Sequence, residues 1–167
     1  MPKKILLILI AILCFGFFLR VMYLPRGAVN FMYDQARDAY AVREILAGNF
    51  KILGPPSSSQ GLSHGVFYYY LIAPAYLMGG GNPVVVSAWL ALINTLGGLV
   101  VFFLARALTK NNLTALLSVF FYAISFETTQ YASWLANPGL AVVTVPLLYL
   151  GLWSWINGKK WGPVLSA

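Results

Sequence analysis

Twenty consecutive residues, Ile5 to Leu24, read ILLILIAILCFGFFLRVMYL and contain a single charged side chain, Arg20. A helix rises about 1.5 Å per residue, so a run of this length is about 30 Å long and matches the hydrocarbon thickness of a bilayer. Lys3 and Lys4 precede it as they would in a secretory leader. The run is too long for a leader, however, and no small-x-small cleavage pattern follows, so it is read as a retained span. Three more segments have the length to cross: 84–105, 113–133 and 140–156. With 60% hydrophobic and 9% charged residues, against roughly 25% charged in soluble domains, the chain is expected to be an all-α membrane protein with four transmembrane helices. It is treated as one membrane domain, 1–167.

A fifth apolar segment, VFYYYLIAPAYLM at 66–78, contains Pro74 and three consecutive tyrosines. It is too short to span, and tyrosine favours the headgroup level, so an interfacial helix is predicted. Basic residues test this choice. If 66–78 does not cross, then Lys3, Lys4, Arg106, Lys110, Lys159 and Lys160 all fall on one side, as the positive-inside rule requires of the cytoplasmic face. The expected topology is therefore a multi-pass protein of the inner (plasma) membrane, N-terminus cytoplasmic, with a long extracytoplasmic loop at 25–82. A loop of that length is where function is expected. The chain ends at KKWGPVLSA, where a new apolar segment begins; this suggests a fragment of a larger protein, inactive alone.

The net charge of +7 does not indicate a nucleic-acid partner, because the Lys and Arg residues are scattered between apolar runs rather than gathered in a stripe. Cys14 is the only cysteine and lies inside the first run, so it has no intrachain disulfide partner. One His and two Asp without ligand spacing indicate no metal site.

The acids are unevenly placed. Of four, Asp34, Asp38 and Glu44 fall in YDQARDAYAVREIL, just after the first span. Residues 34–47 are predicted to form a helix closed by Gly48-Asn49. At about 100° per residue, Ala36, Ala39, Tyr40, Val42, Leu46 and Ala47 gather on one side, and Asp34 and Asp38 lie about 40° apart on the other. That face is expected to lift both carboxylates away from the membrane, with Arg37 within helical reach of each. An N-cap role for Asp34 and a dipole role for Asp38 account for the same positions. Like charges at i, i+4 are unfavourable, though, which points to a use outside the helix. The loop adds Arg43, Lys51 and the single histidine, His64, followed by Tyr68, Tyr69 and Tyr70. Carboxylates, cationic donors and aromatics at one membrane surface suit a phosphate-bearing lipid and a polyol acceptor. Glu127, within the predicted third span, is expected to pair with Arg20.

The succession YDQARDAYAVREILAG, HGVFYYYLIAP and NPVVVSAWLALINTLGGLVVFFLARAL resembles the N-terminal part of the polyprenyl-phosphate-sugar-dependent glycosyltransferases of the GT-C fold, among them protein O-mannosyltransferases and aminoarabinose transferases of lipid A. The resemblance implies an inverting transfer of a sugar from a lipid phosphate to an acceptor hydroxyl on a glycan, lipid or protein. The lipid-linked sugar is then a co-substrate, and no further cofactor is indicated. In that family an Asp-Glu pair opens the first outer-loop helix and the Asp is catalytic. Asp34 matches the Asp, while Gln35 stands where the Glu would be, leaving Asp38 as a possible second acid. Arg37, Arg43 and His64 are then the residues for the donor phosphate, with His64 at a lysine position of the family's second motif. Tyr68, Tyr69 and Asn137 line the substrate or lipid. The competing class is a non-enzymatic membrane module, such as a lipid-carrier transporter or assembly subunit, which would place polar residues along the spans rather than in one loop.

Overall fold

The structure, a computed structural model, describes residues 1–59 and 61–166. Its helices are α1 (Lys3–Val21), α2 (Tyr33–Leu46), α3 (Phe67–Met78), α4 (Pro83–Thr109), α5 (Asn112–Ile124), α6 (Phe126–Ser133), α7 (Ala141–Ile156) and α8 (Gly162–Ser166), with 3-10 turns at Leu24–Arg26 and Asn137–Leu140. No strand occurs among the described residues; one isolated bridge joins Pro56 to Ser63. Three stretches are long and apolar enough to cross a membrane: Lys3–Arg26, Pro83–Thr109 and Asn137–Ile156.

Local chemistry sets the boundaries. Asn82 caps α4 by accepting from the Val84 amide at 2.9 Å, and Pro83 occupies the first helical position, where its missing N–H costs nothing. Asn111 caps α5 in the same way, accepting from Leu113 and Thr114. α2 ends as predicted: Gly48 takes φ 94°, and the amides of Gly48 and Asn49 return to the carbonyls of Ile45 and Glu44.

α4 is the spine. Near its start, Val86 and Leu90 pack with Val42 and Ile45 of α2, Tyr68, Tyr69, Ile72 and Tyr76 of α3, and Leu135. Near its end, Phe102 packs with Leu9 of α1 and Ala115, Leu116 and Val119 of α5. Ile5 and Ala105 flank this second cluster, and the Lys110 ammonium sits 4.9 Å from the Trp153 ring centroid of α7. The six basic residues at 3, 4, 106, 110, 159 and 160 thus gather at one end of the bundle, and α2 and α3 lie at the other.

The predicted span 113–133 is not one helix. It breaks at Ser125, whose ψ of 127° is extended, and α6 resumes at Phe126. A break inside apolar surroundings leaves carbonyls that must find other donors. Arg20 supplies them, donating to Ala123 O at 3.0 Å and Tyr122 O at 3.3 Å, while the Thr128 hydroxyl donates to Tyr122 O at 2.6 Å. Arg20 also binds Asn94 Oδ1 of α4 at 2.7 Å, its own Gly16 carbonyl and Thr128 Oγ1. All five guanidinium N–H groups are thereby used. Glycine lets the helices close on this network: a Cβ on Gly16 would sit 3.0 Å from the Ala123 methyl, and one on Gly97 would sit 2.7 Å from the Tyr122 hydroxyl.

Candidate functional site

The first turns of α2 carry a compact carboxylate–guanidinium cluster. Arg37 bridges two acids, with Nη1 2.7 Å from Asp34 Oδ1, and Nη2 and Nε 2.8 and 3.0 Å from Asp38 Oδ1. The two acids have different surroundings. The side chain of Asp34 is 66% exposed and that of Asp38 only 5%. Burial pushes the Asp38 carboxyl above the ordinary carboxylate range, against the opposing pull of Arg37. Tyr69 approaches the same oxygen, its hydroxyl donating at 3.4 Å. Burial and the Asp38 charge also raise the phenols of Tyr68 and Tyr69, and that of Tyr76 to about 12, so all three remain protonated donors at neutral pH. Asp38 therefore holds Arg37 from the inside, and Arg37 holds Asp34 at the surface with two of its five N–H groups unused among the described residues.

This corrects the helical-wheel reading. α2 buries Gln35, Asp38, Val42 and Ile45, while Tyr40 and Leu46 of the predicted apolar side are exposed. Asp38 is inside because Arg37 and Tyr69 provide partners there, which a hydropathy pattern does not register.

Gln35 explains its own identity. Its Oε1 accepts from the Met32 amide at 3.0 Å, and its Nε2 donates to the Leu135 carbonyl at 3.2 Å. The position needs an acceptor and a donor in one side chain, and a glutamate could not make the second bond. Leu135 lies two residues before Asn137, so the same bond ties the start of α2 to the turn that opens α7. Asn137 itself begins that turn and is half-buried.

The remaining predicted residues divide. Tyr68 and Tyr69 are not an open lining but part of the core between α2 and α4. Tyr70 is exposed and exchanges hydrogen bonds with the backbone of Lys51. Lys51 pairs with Glu44. His64 is exposed, and its backbone closes the loop through Pro55 O at 2.7 Å; its imidazole makes no hydrogen bond among the described residues. Arg43 is exposed and makes no ion pair among the described residues, but it stands about 180° around α2 and about 13 Å along it from Asp34. It lines a separate cavity of about 580 Å³ with Tyr40, Tyr76 and Leu77. The structure thus brings together Asp34, Arg37, Asp38 and Tyr69, and leaves Arg43 and His64 outside that cluster.

Glu127 does not pair with Arg20, whose donors are all committed elsewhere. It is exposed and lines a groove of about 380 Å³ with Asn30, Gln130, Tyr131 and Trp134. The Tyr131 and Trp134 rings lie 5.6 Å apart. Trp134 precedes Leu135, to which Gln35 is bonded, so this groove adjoins the first turn of α2. Sequence reasoning missed it because the helix break that creates it carries no Pro or Gly. No group of three or more His, Cys, Asp or Glu suited to a metal occurs among the described residues.

No protein-family model matches the chain, and no solved structure matches it. An uncharacterized protein of Aquifex aeolicus (strain VF5) is 27% identical over 168 aligned positions, which cover 96% of this chain and 31% of that relative. The chain thus spans about a third of the length of the relative it matches.

Proposed function

We propose that this chain is the N-terminal part of a membrane glycosyltransferase of GT-C type, which moves a sugar from a polyprenyl phosphate to an acceptor hydroxyl at the extracytoplasmic face. Four crossings are proposed: α1, α4, the broken pair α5–α6 and, in the last, Asn137–Ile156. The gathering of six basic residues at one end of the bundle supports a cytoplasmic N-terminus. It would put α2 on the opposite side, where an extracytoplasmic site is needed.

The observation that carries the reading is the Asp38–Arg37–Asp34 relay. Sugar transfer to a hydroxyl needs a base for the acceptor proton and positive charge where the phosphate departs. Asp34 is the exposed carboxylate, fixed by Arg37, and takes the proton. Arg37 keeps free N–H groups beside it for a phosphate oxygen. Asp38 is a positioning residue. Arg43, on the far side of α2, is assigned to the lipid rather than the reacting phosphate, and His64 acts only if the donor reaches the loop. Attack opposite the leaving phosphate inverts the anomeric centre.

The test is Asp34→Asn in the full-length protein. It should insert normally and lose sugar transfer from a polyprenyl-phosphate donor in isolated membranes. Undiminished transfer removes Asp34 from the mechanism, and no transfer by the unaltered protein with any such donor returns the chain to the non-enzymatic class.

A further inference from the structure

The groove that holds Glu127 adjoins a second one. Ala28 and Gln130 line both, and beyond them a cavity of about 510 Å³ runs between the end of α1 and the α5–α6 break. Its walls are mainly apolar, with Leu19, Met22 and Leu24 on one side and Ile124 and Phe126 on the other, and Arg20, Tyr23, Thr129 and Gln130 add polar atoms. Phe126 is 74% exposed, so this half opens sideways. In a bilayer it would open to lipid, because α1 is one of the helices long enough to cross. The two adjoining grooves, which share Ala28 and Gln130, together form a cleft with an apolar end toward the hydrocarbon and a polar end beside α2.

The charges at the cleft select its occupant. Arg20 borders the apolar half, but every N–H it has is bonded to Asn94, Thr128 or backbone carbonyls, so it offers nothing to a phosphate. Glu127 borders the polar half and, among the described residues, is the acid outside the ion pairs: Asp34 and Asp38 are held by Arg37 and Glu44 by Lys51. A carboxylate with no directly paired cation accepts well from hydroxyls and competes with an anionic headgroup for the nearby Arg20 charge, whose N–H groups are already taken. Asn30 adds an amide that both donates and accepts, and Trp134 with Tyr131 adds apolar ring faces.

We infer that the cleft binds a membrane amphiphile with an uncharged, polyhydroxylated headgroup, its hydrocarbon chain between Leu19 and Phe126 and its hydroxyls on Glu127. This occupant differs from the anionic sugar donor. It rests on the glycosyltransferase reading only for its role, that of an acceptor lipid entering laterally.

The experiment uses the full-length protein in phosphatidylcholine nanodiscs and an alkyl glucoside carrying a diazirine in its chain, with adducts mapped by mass spectrometry. Adducts are expected in residues 19–24 and 124–129, competed by octyl glucoside and not by octyl phosphate. Glu127→Gln should weaken labelling about tenfold, the loss of charged hydrogen bonds, and Lys160→Gln, an exposed charge change at the other end of the bundle, should leave it unchanged. Stronger competition by octyltrimethylammonium would make this an ammonium site and overturn the inference. So would labelling indifferent to Glu127→Gln, or cross-linking of a photoreactive residue at Phe126 to another segment of the polypeptide. Labelling that survives while no sugar transfer is found would overturn the transferase reading alone.

Discussion

Replacing Arg20 by methionine keeps length and apolar volume but removes the donors that close the α5–α6 break. The Ala123 carbonyl loses the donor at 3.0 Å, and Asn94 Oδ1 loses the one at 2.7 Å, keeping only a long approach from Tyr122 at 3.4 Å. Tyr122 O retains the Thr128 hydroxyl at 2.6 Å and is not orphaned. One buried acceptor left unpaired and a second left with only a long bond cost up to about 1–3 kcal/mol each, and part of this returns because a guanidinium no longer has to be buried. The expected net loss is about 2–4 kcal/mol, above the average of about 0.6 for an interhelical bond in a membrane because Arg20 joins three helices at once. Equilibrium unfolding in mixed micelles, followed by tryptophan fluorescence, would measure it. Glu127→Gln in the same assay should change stability by less than about 0.5 kcal/mol. Arg20→Met within that margin of the unaltered protein would show that Arg20 does not support the α5–α6 break, and equal losses from both variants would restore an Arg20–Glu127 pair.

Gln35→Glu sets a carboxylate oxygen against the Leu135 carbonyl and should destabilise by about 1–3 kcal/mol, whereas a variant as stable as the parent by unfolding would remove the Gln35–Leu135 tie. Asp38 predicts a pH dependence. Its folded-state pKa lies above 3.8, so folding favours the protonated form, and the stability this gives is complete below that value and declines as pH rises through the higher folded value. Asp38→Asn should abolish this decline in melting curves taken across that window; an unchanged pH profile would contradict the burial effect.

Much of the architecture could be read from apolar run length. α1, α4 and α7 follow from segments that water would not tolerate, and the end of α2 follows from Gly48, whose φ of 94° suits few other residues. α3 was legible as too short to cross. Asp38 was misplaced because hydropathy assigns every aspartate to solvent, yet the spacing of Gln35, Asp38, Val42 and Ile45 is itself a helical stripe. It becomes visible only if a buried acid with an adjacent arginine is allowed. The break at Ser125 was hidden for a different reason. FYAISFETT contains no helix breaker, and the bonds that support the break come from Arg20 and Asn94, far away in sequence. Arg20 was expected to seek a carboxylate, but its partners are backbone carbonyls and neutral side chains.

In the proposed reaction Asp34 takes a proton from an acceptor as a sugar leaves a lipid phosphate. Its most direct test is release of polyprenyl phosphate, measured over time in proteoliposomes of the full-length protein supplied with a polyprenyl-phosphate sugar and total membrane acceptors. One polyprenyl phosphate is expected per sugar transferred, with release lost in Asp34→Asn and reduced but present in Asp38→Asn. Equal rates for Asp34→Asn and the unaltered protein would contradict it.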